Sequence, residues 1–414
     1  MKIGILSDLH LGYRQYGSVD REEDFYQQFH KCCNKLNEKN VDMVIIAGDI
    51  FDKPNPSPRS MHEYGKGIKS LGAKIIVAIK GNHTMLLRDN HYSVDEFFFD
   101  EKSVGNYFLL DDDSISFENV RVDGITYRPD SRIDGFLYEQ QEIANEDDPC
   151  DFRILVTHQA YQEHSGFFGV ELSLNDLNTE PYDLIINGHI HSHHISVLSD
   201  DTIFLQPGSI ERMSTAEALD EEKNGKGVWI YDIDNDTLSD IKNDTLTFCD
   251  IECERKFLQG DINIASENQL DKVFNTLDKK LDELSPLKPI VSYNYHDFIG
   301  KSYIIRDKIA DSSKKSLINN SNIISESEKD LAVVISDYEV PTVLEMLNMA
   351  NVDLNDEEKR LASDIHEFSQ EGKDVKGLLE DYRKKHFNNK PKIKVDTKKI
   401  MKEIEEYEKY FESL

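Results

Sequence analysis

In the first 191 residues, five short apolar runs each stop at side chains that bind metals or move protons. Lys2–Leu6 leads to Asp8-Leu9-His10, and Met43–Ala47 to Gly48-Asp49-Ile50-Phe51-Asp52. Lys74–Ile79 leads to Gly81-Asn82-His83, Arg153–Thr157 to His158, and Leu184–Asn187 to Gly188-His189-Ile190-His191. Short runs rich in Ile and Val, closed by Gly, Asp, Asn or His, read as buried strands. Side chains at i and i+2 of a strand share a face, so Asp8 and His10 can reach one ion. A single Asp-x-His or strand-end His is usually structural. Five such endings in one stretch are not, and they place ligand-type residues together at the edge of one central sheet.

Further runs at Thr202–Leu205 and Gly227–Ile233 complete a strand set, and helical candidates at Glu22–Asn40 and Pro58–Leu71 lie between runs. This alternation predicts a layered α/β domain over residues 1–240 with its chemistry at strand ends. A boundary falls near Asp236–Asp244. Residues 245–330 predict a small α/β domain, with strand-like Pro289–Tyr295 and Lys301–Arg306 around a polar helix at Glu267–Leu284. Residues 335–414 are charged and predict helices. In the last segment Ile400, Ile404, Tyr407 and Phe411 form an apolar stripe that needs a surface, either on this chain or on a helical partner.

The formal charge of −31 is unlike the basic footprint of most nucleic-acid binders. It is uneven: residues 1–240 carry 21 basic and 44 acidic residues, and 241–414 carry 27 and 35. The acidity reads chiefly as a solvated surface. The basic run Arg383–Lys402, with Lys384, Lys385, Lys398 and Lys399, is either a solvated helix face or a DNA contact. Five scattered cysteines fit a reduced chain better than a disulfide framework. With no apolar run long enough to span a membrane and no leader pattern at the N-terminus, the expected location is cytoplasmic, associated with the nucleoid, and not secreted.

Two divalent ions about 3.5–4 Å apart can clamp a phosphate for in-line attack by an activated water. Such a pair needs a bridging carboxylate, for which Asp49 is suited, several imidazoles and few other charges. The series D-x-H, G-D-x-x-D, G-N-H, a lone His and G-H-x-H, in this order, resembles the calcineurin-like metallophosphoesterases. The wording around it is closer still to the Mre-eleven/SbcD family of DNA double-strand-break repair nucleases, most like the archaeal type. The residues that carry this are Asp8-Leu9-His10-Leu11-Gly12-Tyr13 with Arg21 and Asp24-Phe25, then Pro56-Ser57-Pro58 after Asp52, and Pro207-Gly208-Ser209-Ile210-Glu211-Arg212. The resemblance is strong over about 1–240, weaker over the middle domain and only architectural in the tail.

The resemblance implies a β-sandwich flanked by helices, a capping domain for DNA over 245–330, and a helical segment over 335–414 that binds a coiled-coil ATPase of the Rad-fifty/SbcC type. Asp8, His10, Asp49 and His191 would hold one Mn2+, and Asp49, Asn82, His158 and His189 a second. His83 would steer the phosphate and protonate the leaving oxygen, a task suited to imidazole. The donor set alone specifies only a hard-to-borderline N/O site without thiolate. Two departures stand out. Thr84 replaces the acidic residue that often follows G-N-H, so another group must orient His83. Asp52 stands where some family members have a His that places the DNA backbone, which leaves the balance of exonuclease and endonuclease action open. Homodimerisation is expected, with Met85–Phe99 as a candidate surface; His193 and His194 read as exposed surface. The functions to be weighed are three. The first is a nuclease acting on double-stranded DNA as an exonuclease and on single-stranded DNA as an endonuclease. The second is a phosphodiesterase or phosphatase of the same fold acting on nucleotides or phosphoproteins. The third is a non-catalytic DNA-end-binding scaffold.

Overall fold

The computed structural model describes residues 1–84, 105–164, 172–199, 201–233 and 245–325. Its first half builds strand–helix–strand units: β1 (Lys2–Leu6), α1 (Val19–Glu38), β2 (Met43–Ile46), α2 (Pro58–Ser70), β3 (Ile75–Ile79) and β4 (Tyr107–Leu110). Each of the first two helices starts where a serine caps it. Ser18 accepts a hydrogen bond from the Arg21 N–H, and Ser57, followed by Pro58, accepts one from Ser60. Gly67 of α2 leaves room for the Phe29 ring of α1, which would lie 2.2 Å from a Cβ there. The chain continues through β5 (Asp113–Phe117), β6 (Val120–Gly124), α3 (Ile133–Ala144), β7 (Phe152–Thr157), β8 (Leu184–Asn187), β9 (His194–Val197), β10 (Ile203–Gln206), α4 (Thr215–Asn224), β11 (Gly227–Asp232) and β12 (Leu246–Asp250).

These strands form two six-stranded sheets, ordered β12-β11-β1-β2-β3-β4 and β5-β6-β7-β8-β10-β9. This is the sandwich that the resemblance implied, and it corrects the placing of all five ligand-bearing strand ends on one central sheet. β1, β2 and β3 pair in parallel in the first sheet, whereas β7 and β8 pair in the second. The reason lies between them: Ile3, Ile5, Ile45 and Val77 pack against Ile154, Val156, Ile186 and Leu205 in one apolar layer. Strands apolar on both faces require cover on both. On the first sheet's outer face that cover is Phe29, Cys32 and Leu36 of α1 with Tyr64 and Ile68 of α2. On the second it includes Phe136 and Ile143 of α3. The first sheet also extends past the expected boundary near 236–244, because β12 pairs antiparallel with β11.

A smaller sheet follows, built from β13 (Phe257–Ile264), α5 (Glu267–Glu283), β14 (Ile290–Asp297), α6 (Ser302–Ser312), β15 (Ile318–Asn319) and β16 (Asn322–Ser325). β14 pairs in parallel with β13, β15 and β16. Parallel neighbours need crossovers, and this requirement corrects Lys301–Arg306 from strand to helix. Ile305 is buried against Leu258, Phe274 and Tyr295, with Ile309 one turn on. The Ser302 hydroxyl donates 2.6 Å to Asp297 Oδ2 at the turn into α6. Buried charge ties this unit to the sandwich. Asp24 of α1 accepts from both Arg21 and Arg255, and Arg255 also donates to the Lys288 carbonyl. The guanidinium groups of Arg21 and Arg212 both lie over the Phe257 ring.

Candidate metal centre

The ligand-type endings of β1, β2, β3, β7 and β8 meet at one end of the two sheets. Ligand atoms of Asp8, His10 and His191 lie within 4.8 Å of one another, and so do those of Asp49, His158 and His189. Asp49 faces both groups: its Oδ2 is 3.2 Å from His158 Nε2 and 3.9 Å from His10 Nε2. Asn82 joins the second group, with Oδ1 3.1 Å from His158 Nε2 and 2.9 Å from His189 Nδ1. His10 and His191 bring their Nε2 atoms to 3.0 Å. Each residue expected in a ligand shell is therefore in the cluster, and the carboxylate expected to bridge lies between the two sets.

Local backbone geometry produces this convergence. Asp8, His10, Asp49 and His189 all take positive φ, between 43° and 80°, a region that costs non-glycine residues energy. The turns that carry them hold because surrounding bonds fix them. The Asp8 and His10 N–H groups donate to the Gly48 and Asp49 carbonyls, and the His189 N–H donates to Asp8 Oδ1. The glycines work by close approach. A Cβ on Gly81 would lie 2.1 Å from Asp49 Oδ1, and one on Gly188 would lie 2.0 Å from the Ala47 carbonyl oxygen and 2.5 Å from His158 Nδ1. Gly188→Ala is therefore expected to push His158 out of place. Manganese titration of the folded variant should show at least a tenfold loss of affinity, given the roughly 10–100-fold effects of disturbing a ligand's support; unchanged affinity would contradict this geometry.

The donor chemistry fits a pair of divalent cations. His158 Nδ1 bonds the Ala47 carbonyl at 2.8 Å, and His191 Nδ1 bonds Glu217 Oε1 at 3.1 Å. With the proton on Nδ1, each ring turns an Nε2 lone pair toward the cluster, the usual arrangement behind a ligating imidazole. Nitrogen and oxygen acceptors that point at common positions, with two carboxylates among them, suit a cation. With protons alone competing for these positions, burial opposes a charge on His158 but Asp49 beside it prevails, raising its pKa to about 9. Burial and the neighbouring His158 push His189 down to about 3. Burial also drives His10 well below the ordinary imidazole value. Metal must then displace the His158 proton. Affinity should rise with pH up to about 9, by roughly tenfold per unit for one competing proton. Against the effect of burial, Glu217 also raises His191, so calorimetry in buffers of different ionisation enthalpy should detect net proton release on binding at neutral pH; pH-independent binding would contradict the assignment.

His83 sits at the mouth of the cluster with its side chain one-third exposed, and its Nε2 is 3.9 Å from Asp49 Oδ2. Ring Nδ1 is 2.8 Å from the Asp52 carbonyl, and the main-chain N–H donates to Asp49 Oδ1. The orienting group that Thr84 does not supply is thus a backbone carbonyl. The Asp52 carboxylate is mostly buried, 3.8 Å from His83 Nδ1. His193 and His194 are half-buried rather than exposed. His193 packs edge-on against Trp229 and Phe248, and the His194 ring lies 4.1 Å from that of His164. β11 and β12 supply the contacts to His193, and the loop after β7 supplies the contact to His194. Lys384, Lys385, Lys398 and Lys399, the segment Met85–Phe99 and all of 335–414 lie outside the described residues.

Sequence reasoning passed over several residues here. Tyr127 lies tilted over His189, with ring centroids 5.7 Å apart. The Ser7 hydroxyl donates to Asp8 Oδ2. Glu217 and buried Lys226 stand behind His191. Of these only Ser7 adjoins a motif.

Fold and site together define a calcineurin-like phosphoesterase, and residues 1–193 match the family model of that description. Within that class the chain is 31% identical over 292 residues to the DNA double-strand break repair protein Mre11 of Methanococcus maripaludis, covering 69% of this chain and 75% of the relative. It is 27% identical to the Mre11 of Methanocaldococcus jannaschii, over 66% of this chain and 72% of the relative. It is 24% identical over 397 residues to that of Sulfolobus acidocaldarius, over 92% of this chain and 98% of the relative. The chain belongs to the Mre11 family. It is a metal-dependent phosphodiester hydrolase that relies on divalent cations. Among the described residues, no helix is long and apolar enough to cross a membrane.

Proposed function

We propose that this protein is a nuclease that processes the ends of DNA double-strand breaks, working as an exonuclease on double-stranded DNA and an endonuclease on single-stranded DNA. The observation that carries this reading is the convergence of both ligand sets on Asp49, in a chain of the Mre11 family. Asp8, His10, Asp49 and His191 would hold one Mn2+, and Asp49, Asn82, His158 and His189 the other. A divalent pair bound there would supply Lewis-acid stabilisation of the phosphodiester and a water activated at neutral pH. The chain supplies the rest. Burial of the ligands excludes bulk water, and the imidazoles leave the site with few negative charges for an anionic substrate. His83, oriented through Nδ1 by the Asp52 carbonyl, presents Nε2 to the phosphate and protonates the departing oxygen. The mostly buried Asp52 side chain lies beside that imidazole, in place to influence how the DNA backbone enters.

In the same reading, the unit over 245–330 caps the DNA, and 335–414 grips a coiled-coil ATPase of the Rad-fifty/SbcC type. The protein acts as a homodimer in the cytoplasm, at the nucleoid. Linear double-stranded and single-stranded DNA, incubated with Mn2+, should both be cut. A chromogenic phosphodiester turned over while both DNAs stay intact would favour a small-substrate phosphoesterase instead. Deleting 345–390 should abolish co-purification with the ATPase and leave the isolated nuclease largely active; retained binding would refute that assignment.

A further inference from the structure

Behind His191, on the side away from the other ligands, a carboxylate and an ammonium group stand in a half-buried recess. Glu217, in the first turn of α4, receives the imidazole Nδ1 proton on Oε1 at 3.1 Å. Its own position is fixed from other directions. The Met213 N–H donates 3.1 Å to Oε2, and the Ser214 hydroxyl lies 3.4 Å from Oε1. Lys226, buried to 3% exposure just ahead of β11, places Nζ 3.6 Å from Oε2. That ammonium also donates to the His191 carbonyl at 2.8 Å and to the Ser209 hydroxyl at 2.7 Å. His191 is thus held at its ring by Glu217 and at its main chain by Lys226. Among the described residues, no other imidazole assigned to a ligand shell has a carboxylate hydrogen-bonded to its Nδ1. His158 rests on a carbonyl, and His10 Nδ1 is buried with no hydrogen-bond partner.

We propose that Glu217 is a positioning residue of the metal centre. Held by Lys226, it fixes the orientation and tautomer of His191 and so sets the affinity of the ion shared by Asp8, His10, Asp49 and His191. This rests on the metal-centre reading above. A carboxylate behind a ligating imidazole raises its basicity and limits its rotation, and losing such a partner costs about 10–100-fold in affinity. The effect falls chiefly on one ion, because Glu217 bonds His191 directly, whereas His158 is held by the Ala47 carbonyl and His189 by Asn82 and Asp8. Tethers to α4 make this support stiff. Gln259 of the small sheet donates 3.0 Å to the Thr215 carbonyl, and Gln15 donates 2.8 Å to the Met213 carbonyl.

The test uses the full chain and Mn2+ alone, followed by calorimetry and electron paramagnetic resonance. The wild type should take up two ions and give an exchange-coupled spectrum. Glu217→Ala should bind one ion normally and the other about 10–100-fold more weakly, showing a single-ion signal at limiting Mn2+ and recovering kcat at saturation. Glu217→Asp, which keeps the charge but shortens the reach to Nδ1, should behave in the same way and remains readable if the alanine variant does not fold. Glu217→Gln keeps an acceptor oxygen and should recover most of the affinity. Wild-type titration by Glu217→Asp or Glu217→Ala would overturn the proposal, as would a Gln variant as weak as Ala. His191→Ala separates the two levels of inference. It should lose the same ion, and if it keeps both with normal affinity the metal reading itself fails.

Discussion

His83→Ser is expected to leave both Mn2+ sites filled and to lower kcat on DNA by about 10²–10⁴-fold, the range for loss of a positioned general acid. The expectation follows from where the ring stands. His83 shares the Asp49 neighbourhood, yet it is one-third exposed to the entering substrate where His10 and His158 are fully buried. Its Nδ1 is engaged by the Asp52 carbonyl, which leaves Nε2 for the phosphate. The main-chain bond from His83 to Asp49 survives the substitution, so the carboxylate should stay in place. Metal stoichiometry and single-turnover cleavage, measured on the same preparation, check both halves. A variant that loses an ion along with activity would make His83 a ligand, an arrangement the distances alone allow, since His10, Asp49 and His83 also have ligand atoms within 4.8 Å of one another.

Asp49→Ala should have the opposite signature, losing both ions and, through them, all measurable cleavage. Its carboxylate faces His10 on one side and His158 on the other. It also accepts the His83 N–H. The affinity loss at each ion should exceed the roughly 10–100-fold seen when only an outer hydrogen-bonding partner is removed. By contrast, His10→Ala should weaken one ion and spare the other. Calorimetric titration of the two variants side by side distinguishes a bridge from an ordinary ligand. If Asp49→Ala loses a single ion, Asp49 belongs to one site only.

Much of this centre was readable from the chain because its ligands sit at the ends of apolar runs, where strand periodicity and the loss of apolar character coincide. Asp8 and His10, Asp49, Asn82, His158, His189 and His191 all stand at such points. The glycines were readable for the same reason, although the Cβ clashes at Gly81 and Gly188 only emerge when strands of both sheets are present. What local pattern could not supply was pairing. Buried strands look alike whichever sheet they join, so the run endings alone suggested one central sheet, whereas the family resemblance implied the two-sheet sandwich that is found. At Lys301–Arg306 a short Tyr-Ile-Ile run suggested a strand. The need for a crossover between parallel strands, with burial of Ile305, made it a helix. Groups that act through the main chain leave no mark on sequence at all. The Asp52 carbonyl behind His83 is one. Glu217 is another kind of gap, since it lies 26 positions beyond His191 on a separate helix and reaches it only through the fold. The polar strand Asp113–Phe117, half-exposed at a sheet edge, had too little apolar alternation to be seen.

The central claim is that two metal ions share Asp49. Crystals grown with Mn2+ and measured on either side of the manganese absorption edge test it most directly. Two anomalous peaks per chain are expected. One should be bounded by Asp8, His10, Asp49 and His191, the other by Asp49, Asn82, His158 and His189, with His83 bound to neither. A single peak, or a peak coordinated by His83 in place of one of these residues, would contradict it.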